Sequence, residues 1–356
     1  MEKPIFTKDK KLKIIYTSVL MIILLVVCAF SWILNPKIKL GLKNNFSLVS
    51  NHDSMLVHFI DVGQGDAIAV NLPDGKVVLI DSGPSSNNVD YYNYIKEKVI
   101  NTKRNKKIDY LILTHSDADH IGGALKILKK FEIGTIFMPK TTSNSETFVN
   151  FYEYATKNCK IKQLVDEFKM MNKSYEILFL RPMSSLDENE SSQVIKIAYK
   201  GNSFLLMADV DETVENYLID NYSNQLDCDV LKVAHHGSKT STSKEFLKAT
   251  SPKYSVISVG ENNYGHPHEE VLNRLKDANS KILITDKLGS IMFVLGDDYD
   301  IDYLDGQYNI TSFSLKIEVF IICVEVILLI YVMVVIVYRK RIKKYKPKGG
   351  RKKVEK

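Results

Sequence analysis

The densest set of reactive side chains in this chain lies in one hexapeptide, His115-Ser116-Asp117-Ala118-Asp119-His120. Two imidazoles and two carboxylates this close together are the donors that borderline and hard divalent cations accept. A solvated turn capping a helix needs one Asp and no flanking histidines, so capping alone does not account for the loop. An apolar run at 110–113 leads into it, and Gly122 and Gly123 lead out into a segment of helical periodicity. The alternation at 115, 117 and 119 lets these side chains converge where the chain leaves a strand.

Other polar clusters sit at the ends of strand-like runs, where layered α/β folds collect their sites. Asp61, Gln64 and Asp66 lie in the turn DVGQGD, although Asp66 could serve the turn alone. Asp81-Ser82-Gly83 closes the third run, Asp209 follows the run at 203–207, and the buried-looking run 229–233 delivers His235, His236, Gly237 and Ser238. The loop Tyr264-Gly265-His266-Pro267-His268 adds two more imidazoles, or is a Pro-fixed turn that starts a helix. His58, inside the first run, reads as a satisfied core histidine.

These residues are positioned by two similar blocks. From Met55, three short alternating runs joined by GQGD and PDGK predict an antiparallel start to a sheet. Helical periodicity at 89–100, 124–131 and 146–157 alternates with strands at 108–113, 133–138 and 160–165. The pattern then resets: strands at 175–180, 193–199 and 203–207, a helix at 213–219, the strand at 229–233, a helix from 243, a strand at 254–259, a helix at 269–275 and two final strands. A strand-rich, helix-rich order that occurs twice predicts an αββα sandwich with its polar residues on one rim.

The ends are different in kind. Residues 14–34 are almost wholly apolar behind a basic segment, 1–13, and read as an uncleaved membrane span followed by a stalk at 35–54. A second span is expected at 317–338, after the globular domain at 55–300 and a linker at 301–316; its apolar run from 319 carries Glu325 as its one charge. A carboxyl group at that depth is costly, so Glu325 is expected to face a partner helix or to sit protonated. Basic flanks outside both runs, 1–13 and the tail 339–356, put both termini in the cytoplasm and the domain outside the cell. The tail holds eleven Lys and Arg against one Glu, and the first fourteen residues five Lys against two acids, so the +6 of the whole chain leaves −7 for the rest. The basic ends then suit anionic lipid headgroups better than nucleic acid. Cys159 and Cys228 could pair in an oxidising compartment, but Cys228 begins an apolar run and is expected to be buried and unpaired.

HSDADH at 115–120 resembles the HxHxDH signature of the metallo-β-lactamase fold superfamily. With DVGQGD (61–66), DSG (81–83), MADVD (207–211), DVLKVAHHGS (229–238) and NYGHPH (263–268), the chain is similar to the ComEC branch, the extracellular hydrolase-like domain of bacterial DNA-uptake proteins. The resemblance covers about 55–295. It implies one or two divalent ions, Mn²⁺ or Zn²⁺, with His115 and Asp117 serving one, Asp119 and His120 the other, and Asp209 between them. One of His235 and His236 would complete the second position, and Asp81 would orient the loop. Asp119 and His266 are the expected catalytic residues, with His268, Ser238, Asp61, Gln64 and Asp66 around them. Asp117 stands where the family usually has histidine, which favours a harder ion. No histidine occurs between His120 and His235, so the family's intermediate ligand is missing, and residues 189–193 are where a polar replacement is expected.

The functional expectation is a membrane-anchored, extracellular, metal-dependent hydrolase, a phosphodiesterase or DNase. Hydrolysis of a smaller or cell-wall phosphoester is the alternative, and a non-catalytic ectodomain that binds a ligand through a degenerate metal site is a third. Two spans cannot form a DNA channel, which excludes translocation by this chain alone. A mildly acidic ectodomain also lacks the Lys and Arg that dominate tight DNA binding.

Overall fold

The computed structural model describes residues 54–85, 91–100, 107–140, 143–180 and 189–295, and the backbone of 302–304. They form two mixed sheets. One has eight strands and the other seven. The first three strands, β1 (Met55–Phe59), β2 (Ile68–Asn71) and β3 (Val77–Ile80), pair antiparallel, as the hairpin signals predict. From β3 the sheet continues parallel through β4 (Lys107–Ile112), β5 (Glu132–Pro139) and β6 (Lys160–Leu164). The second sheet repeats the scheme: β7 (Phe168–Met171), β8 (Tyr175–Phe179), β9 (Ile195–Tyr199) and β10 (Asn202–Leu206) are antiparallel. Parallel pairing then carries β10 to β11 (Val230–Lys232), β12 (Tyr254–Ile257) and β13 (Lys281–Ile284). The last strands, β14 (Ile291–Leu295) and β15 (Asp302–Leu304), return to the first sheet beside β1, so a strand lies within the stretch read as a linker.

The period of two along each strand decides the layers. Val57, Phe59, Val70, Val78 and Ile80 of the first sheet meet Phe179, Ile197, Phe204, Leu206 and Val230 of the second in the central core. Their neighbours Ala69, Val77 and Leu79 face outward instead, under Tyr91, Ile95, Ala124, Ile127, Phe148 and Phe151. On the far side Leu205 and Leu231 pack against Val214, Leu218, Phe246, Leu247 and Val271. The helices that supply these layers are α1 (Tyr91–Tyr94), which continues as a π-helical turn, α3 (Ala124–Lys130) and α4 (Glu146–Asn158) on one face, with short α2 (Ala118–Ile121) beside the reactive loop. On the other are α5 (Glu212–Leu226), α6 (Lys244–Thr250) and α7 (Glu269–Asp277). A short α8 (Thr285–Leu288) links β13 to β14. This is the αββα order expected from the repeated pattern.

His58 is buried on β1 and bonds Tyr94 Oη and Asn71 Oδ1, each at 3.1 Å. Cys228 is buried under the helices of the second face, and Cys159 is half-buried; neither is in a disulfide. No helix among the described residues is long and apolar enough to cross a membrane. Both expected spans, the stalk, most of the linker and Glu325 lie outside the described residues.

Candidate metal centre

The reactive residues all leave the C-terminal ends of parallel strands on one rim. β4 runs into Thr114 and His115, and α2 begins directly after Asp117 and carries Asp119 and His120. β10 ends before Asp209, and β11 is followed by a one-turn 3₁₀ segment, Ala234–Gly237, that holds His235 and His236. Both histidines have positive φ, 47° and 53°, and Gly237 continues at 84°. A side chain at Gly237 would also place its Cβ 2.6 Å from Pro267, so the tight turn that aims His236 inward depends on glycine there. Gly65 has the same role on the other side, where a Cβ would overlap the Asp119 carbonyl oxygen.

Asp119, His120, Asp209 and His236 each offer one donor atom, and the four atoms lie within 4.8 Å of one another. His120 Nε2 is 3.1 Å from Asp209 Oδ1; His236 Nε2 is 3.3 Å from both Asp119 Oδ2 and Asp209 Oδ2. The two oxygens of Asp209 thus face different imidazoles. His120 Nε2, His236 Nε2 and Asp209 Oδ1 are buried without a hydrogen-bond partner among the described residues. Buried polar atoms are seldom left so, and converging lone pairs of nitrogen and oxygen are the donor set for a divalent cation.

The imidazoles are held from behind. The Ser258 carbonyl, which can only accept, lies 2.7 Å from His236 Nδ1, so the proton is on Nδ1 and Nε2 is free to face the centre. Asp81 does the same for His120 Nδ1 at 2.8 Å. Asp81 also accepts the Thr114 N–H at 2.9 Å and its hydroxyl at 2.7 Å, from a backbone at φ 55° that Asp tolerates better than most residues. With its own proton spent on Asp81, Thr114 Oγ1 accepts from His115 Nδ1 at 3.0 Å. His115 Nε2 then faces Asp117 Oδ2 at 3.7 Å, outside the four-atom group. Of the two adjacent histidines it is His236 that enters the group, while His235 stands 3.9 Å from Asp209 Oδ2 and is 28% exposed to the cleft.

Electrostatics agree with geometry. Burial alone opposes ionising Asp119, but the close approach of His236 and the charges of His120 and His236 outweigh it and hold its carboxyl down at about 2. Burial likewise opposes charging His236, yet Asp209, Asp119 and Asp66 push it up to about 10; Asp209 and Asp81 raise His120 well above its ordinary value. A field that favours imidazolium ions here favours a divalent cation, whose binding releases those protons. His115 is pushed the other way, down to about 3, by burial and by neighbouring His120.

Asp66 is buried beside the centre, its oxygens 3.8 Å from His236 Nδ1 and 4.0 Å from His120 Nδ1, and is paired at 2.7 Å with Lys232, a residue the motif reading did not single out. A lone Lys in the apolar run VLKVA was the available signal: on a buried strand it requires a buried acid. Gln64, Asp117, Asp119, Asp209, His235, His236 and His266 line an open cleft of about 740 Å³. Glu261 and Tyr264 line it too. The structure does not bring Asp61, Ser238 or His268 to the cleft wall. Asp61 accepts the Gly63 N–H, Ser238 Oγ bonds Thr240 Oγ1, and His268 stands behind His266, ring centres 5.1 Å apart, at the start of α7. In the stretch expected to replace the missing histidine, Gln193 is buried and its amide donates to the Leu180 and Val194 carbonyls. Its N–H bonds the Thr114 carbonyl, so it supports the strand end that carries His115.

Two facing sheets sheathed by helices, with an Asp/His cluster at the strand ends of one rim, define a fold class made up mostly of metal-dependent hydrolases. The chain belongs to the metallo-beta-lactamase superfamily, whose family model matches residues 60–261. It is 32% identical over 253 residues to ComE operon protein 3 of Bacillus subtilis, covering 67% of this chain and 32% of that protein. It is 35% identical over 194 residues to Competence protein ComA of Neisseria gonorrhoeae, covering 54% and 26%. Against Recombination protein 2 of Haemophilus influenzae it is 29% identical over 264 residues, covering 72% and 30%. The chain matches about a third or less of the length of these relatives.

Proposed function

We propose that this chain is a metal-dependent phosphodiesterase that acts on nucleic acid outside the cell, anchored by spans at 14–34 and 317–338 with both termini in the cytoplasm and Glu325 facing a partner helix. The observation that carries the catalytic part is the convergence of Asp119, His120, Asp209 and His236 at the wall of an open cleft. The competence and recombination proteins among its relatives support nucleic acid as the substrate class.

A divalent ion held there supplies an activated water and neutralises phosphodiester charge. The chain's own residues do the rest. His120 and His236 present Nε2 because Asp81 and Ser258 hold Nδ1. Asp209 serves two sides at once, one oxygen toward His120 and the other toward His236. His266 lies on the cleft wall with Nδ1 unbonded among the described residues, and burial, with His235 nearby, brings its pKa down to about 4. It is therefore neutral at pH 7 and suited to donating an N–H to a phosphate oxygen.

Among the described residues no Lys or Arg lines the cleft, which favours a second reading, hydrolysis of a smaller phosphoester. Metal analysis of the purified full chain, alongside turnover of bis(4-nitrophenyl) phosphate and of DNA with Mn²⁺ or Zn²⁺, tests both. About one or two ions per chain and DNA cleavage lost in Asp209→Ala are expected. Less than about 0.2 ions per chain without turnover overturns the hydrolase, and turnover of the small ester alone favours the second reading.

A further inference from the structure

Tyr264 is 71% exposed, the highest value among the exposed large apolar side chains of the described residues, and it lines the same cleft as the metal-ligating cluster. Its backbone is held by one side chain. Asn262 Oδ1 accepts the N–H groups of Tyr264 and His266 at 3.0 and 3.1 Å, and Asn262 Nδ2 donates to the Gly260 and His266 carbonyls at 2.9 and 2.8 Å. The ring is thus presented to solvent from a braced turn. Inward from it stand three imidazoles in file: His266 at 5.6 Å between ring centres, His235 5.5 Å beyond it, and His236 6.2 Å further, at the cluster.

The rest of the cleft lining is unsuited to attracting a polyanion by charge. Asp117, Asp119, Asp209 and Glu261 are acidic, and no Lys or Arg lines the cleft among the described residues. Beyond a bound cation, the described lining offers a phosphodiester uncharged contacts, and its most exposed large apolar side chain is Tyr264. Aromatic side chains bind unpaired bases by stacking, without regard to sequence, because every base has a flat face.

We propose that Tyr264 is a stacking platform for the nucleobase that adjoins the phosphate at the metal centre, so that the cleft takes a single-stranded, base-bearing phosphodiester. This rests on the phosphodiesterase reading and names its substrate. A base inside a duplex has both faces covered by its neighbours, so an exposed Tyr face selects unpaired strands.

The test is equilibrium binding, by fluorescence anisotropy with Mn²⁺, of two labelled, nuclease-resistant oligomers to the full chain. One is oligothymidine; the other has the same phosphorothioate-linked backbone with abasic sugars. The full chain should prefer the base-bearing strand by about tenfold. Tyr264→Ala should lose that preference and leave the abasic affinity unchanged, while Tyr264→Phe and Tyr264→Trp retain it. Equal affinity of the unsubstituted chain for both strands, binding of neither, or loss of both affinities together in Tyr264→Ala overturns the inference. Base-selective binding without any phosphodiester turnover overturns the hydrolase reading alone, and turnover without base preference overturns the stacking platform alone.

Discussion

Lys232 Nζ lies 2.7 Å from Asp66 Oδ2, with the lysine side chain fully buried and the aspartate 3% exposed. Lys232 ends β11 in the second sheet, pointing to the same face as core residue Val230, and Asp66 stands in the turn between β1 and β2 of the first. The pair therefore joins the two sheets just beneath the Asp/His cluster. Lys232→Met should destabilise the protein by about 3–5 kcal/mol, because Asp66 then stays buried without the ammonium that lies 2.7 Å from it. Adding Asp66→Asn should recover part of that loss. Denaturant unfolding of the two variants measures both; a single variant as stable as the parent contradicts the assignment.

Asp81 holds the His120 ring and the Thr114 backbone at once. Asp81→Asn keeps the tolerance for a positive φ and removes the carboxylate that fixes Nδ1–H. Divalent-ion affinity should fall about 10- to 100-fold by calorimetric titration, with the fold intact by circular dichroism. Unchanged affinity would mean that His120 is oriented by packing alone.

The two adjacent histidines should separate cleanly. His236→Ala removes a donor from the four-atom group and should abolish tight ion binding, whereas His235→Ala should leave an ion bound and affect turnover. Ion content of the two purified variants decides it.

Glu215, buried on α5, accepts the backbone N–H groups of Thr242 and Ser243 at the start of α6. Burial pushes its pKa from 4.5 up to about 7, against the pull of those donors. The folded protein thus keeps a proton that the unfolded chain releases, so this group's contribution is fully present below about pH 4.5 and is lost as pH rises through about 7. The loss amounts to up to about 3 kcal/mol. Glu215→Gln should flatten that part of the stability–pH curve; a slope unchanged by the substitution contradicts the shift.

Much of this was legible in the residues. Alternation in VHF, AVN and VLI marks which side chains meet across the sandwich, and the positions at 115–120, 209 and 235–236 are all strand exits. What spacing does not carry is the direction of a side chain in a tight turn. The choice of His236 over His235 follows from consecutive left-handed residues, and the separation of His115 from the main group follows from the Thr114–Asp81 relay. β7 went unread because FKMM is a four-residue edge strand: Phe168 and Met170 pack against the core, but Met171 on the exposed side is apolar too, so the alternation is blurred. The short α8 was hidden in the same way, by its length of four residues.

The cluster that could hold a metal takes Asp119 and His120 from the first sheet's loops and Asp209 and His236 from the second's. Neither half alone has more than two of these donors. Affinity for an ion held there would then be a report on assembly: a chain whose sheets have not docked has no place for it, and loading with metal would distinguish finished molecules from unfinished ones.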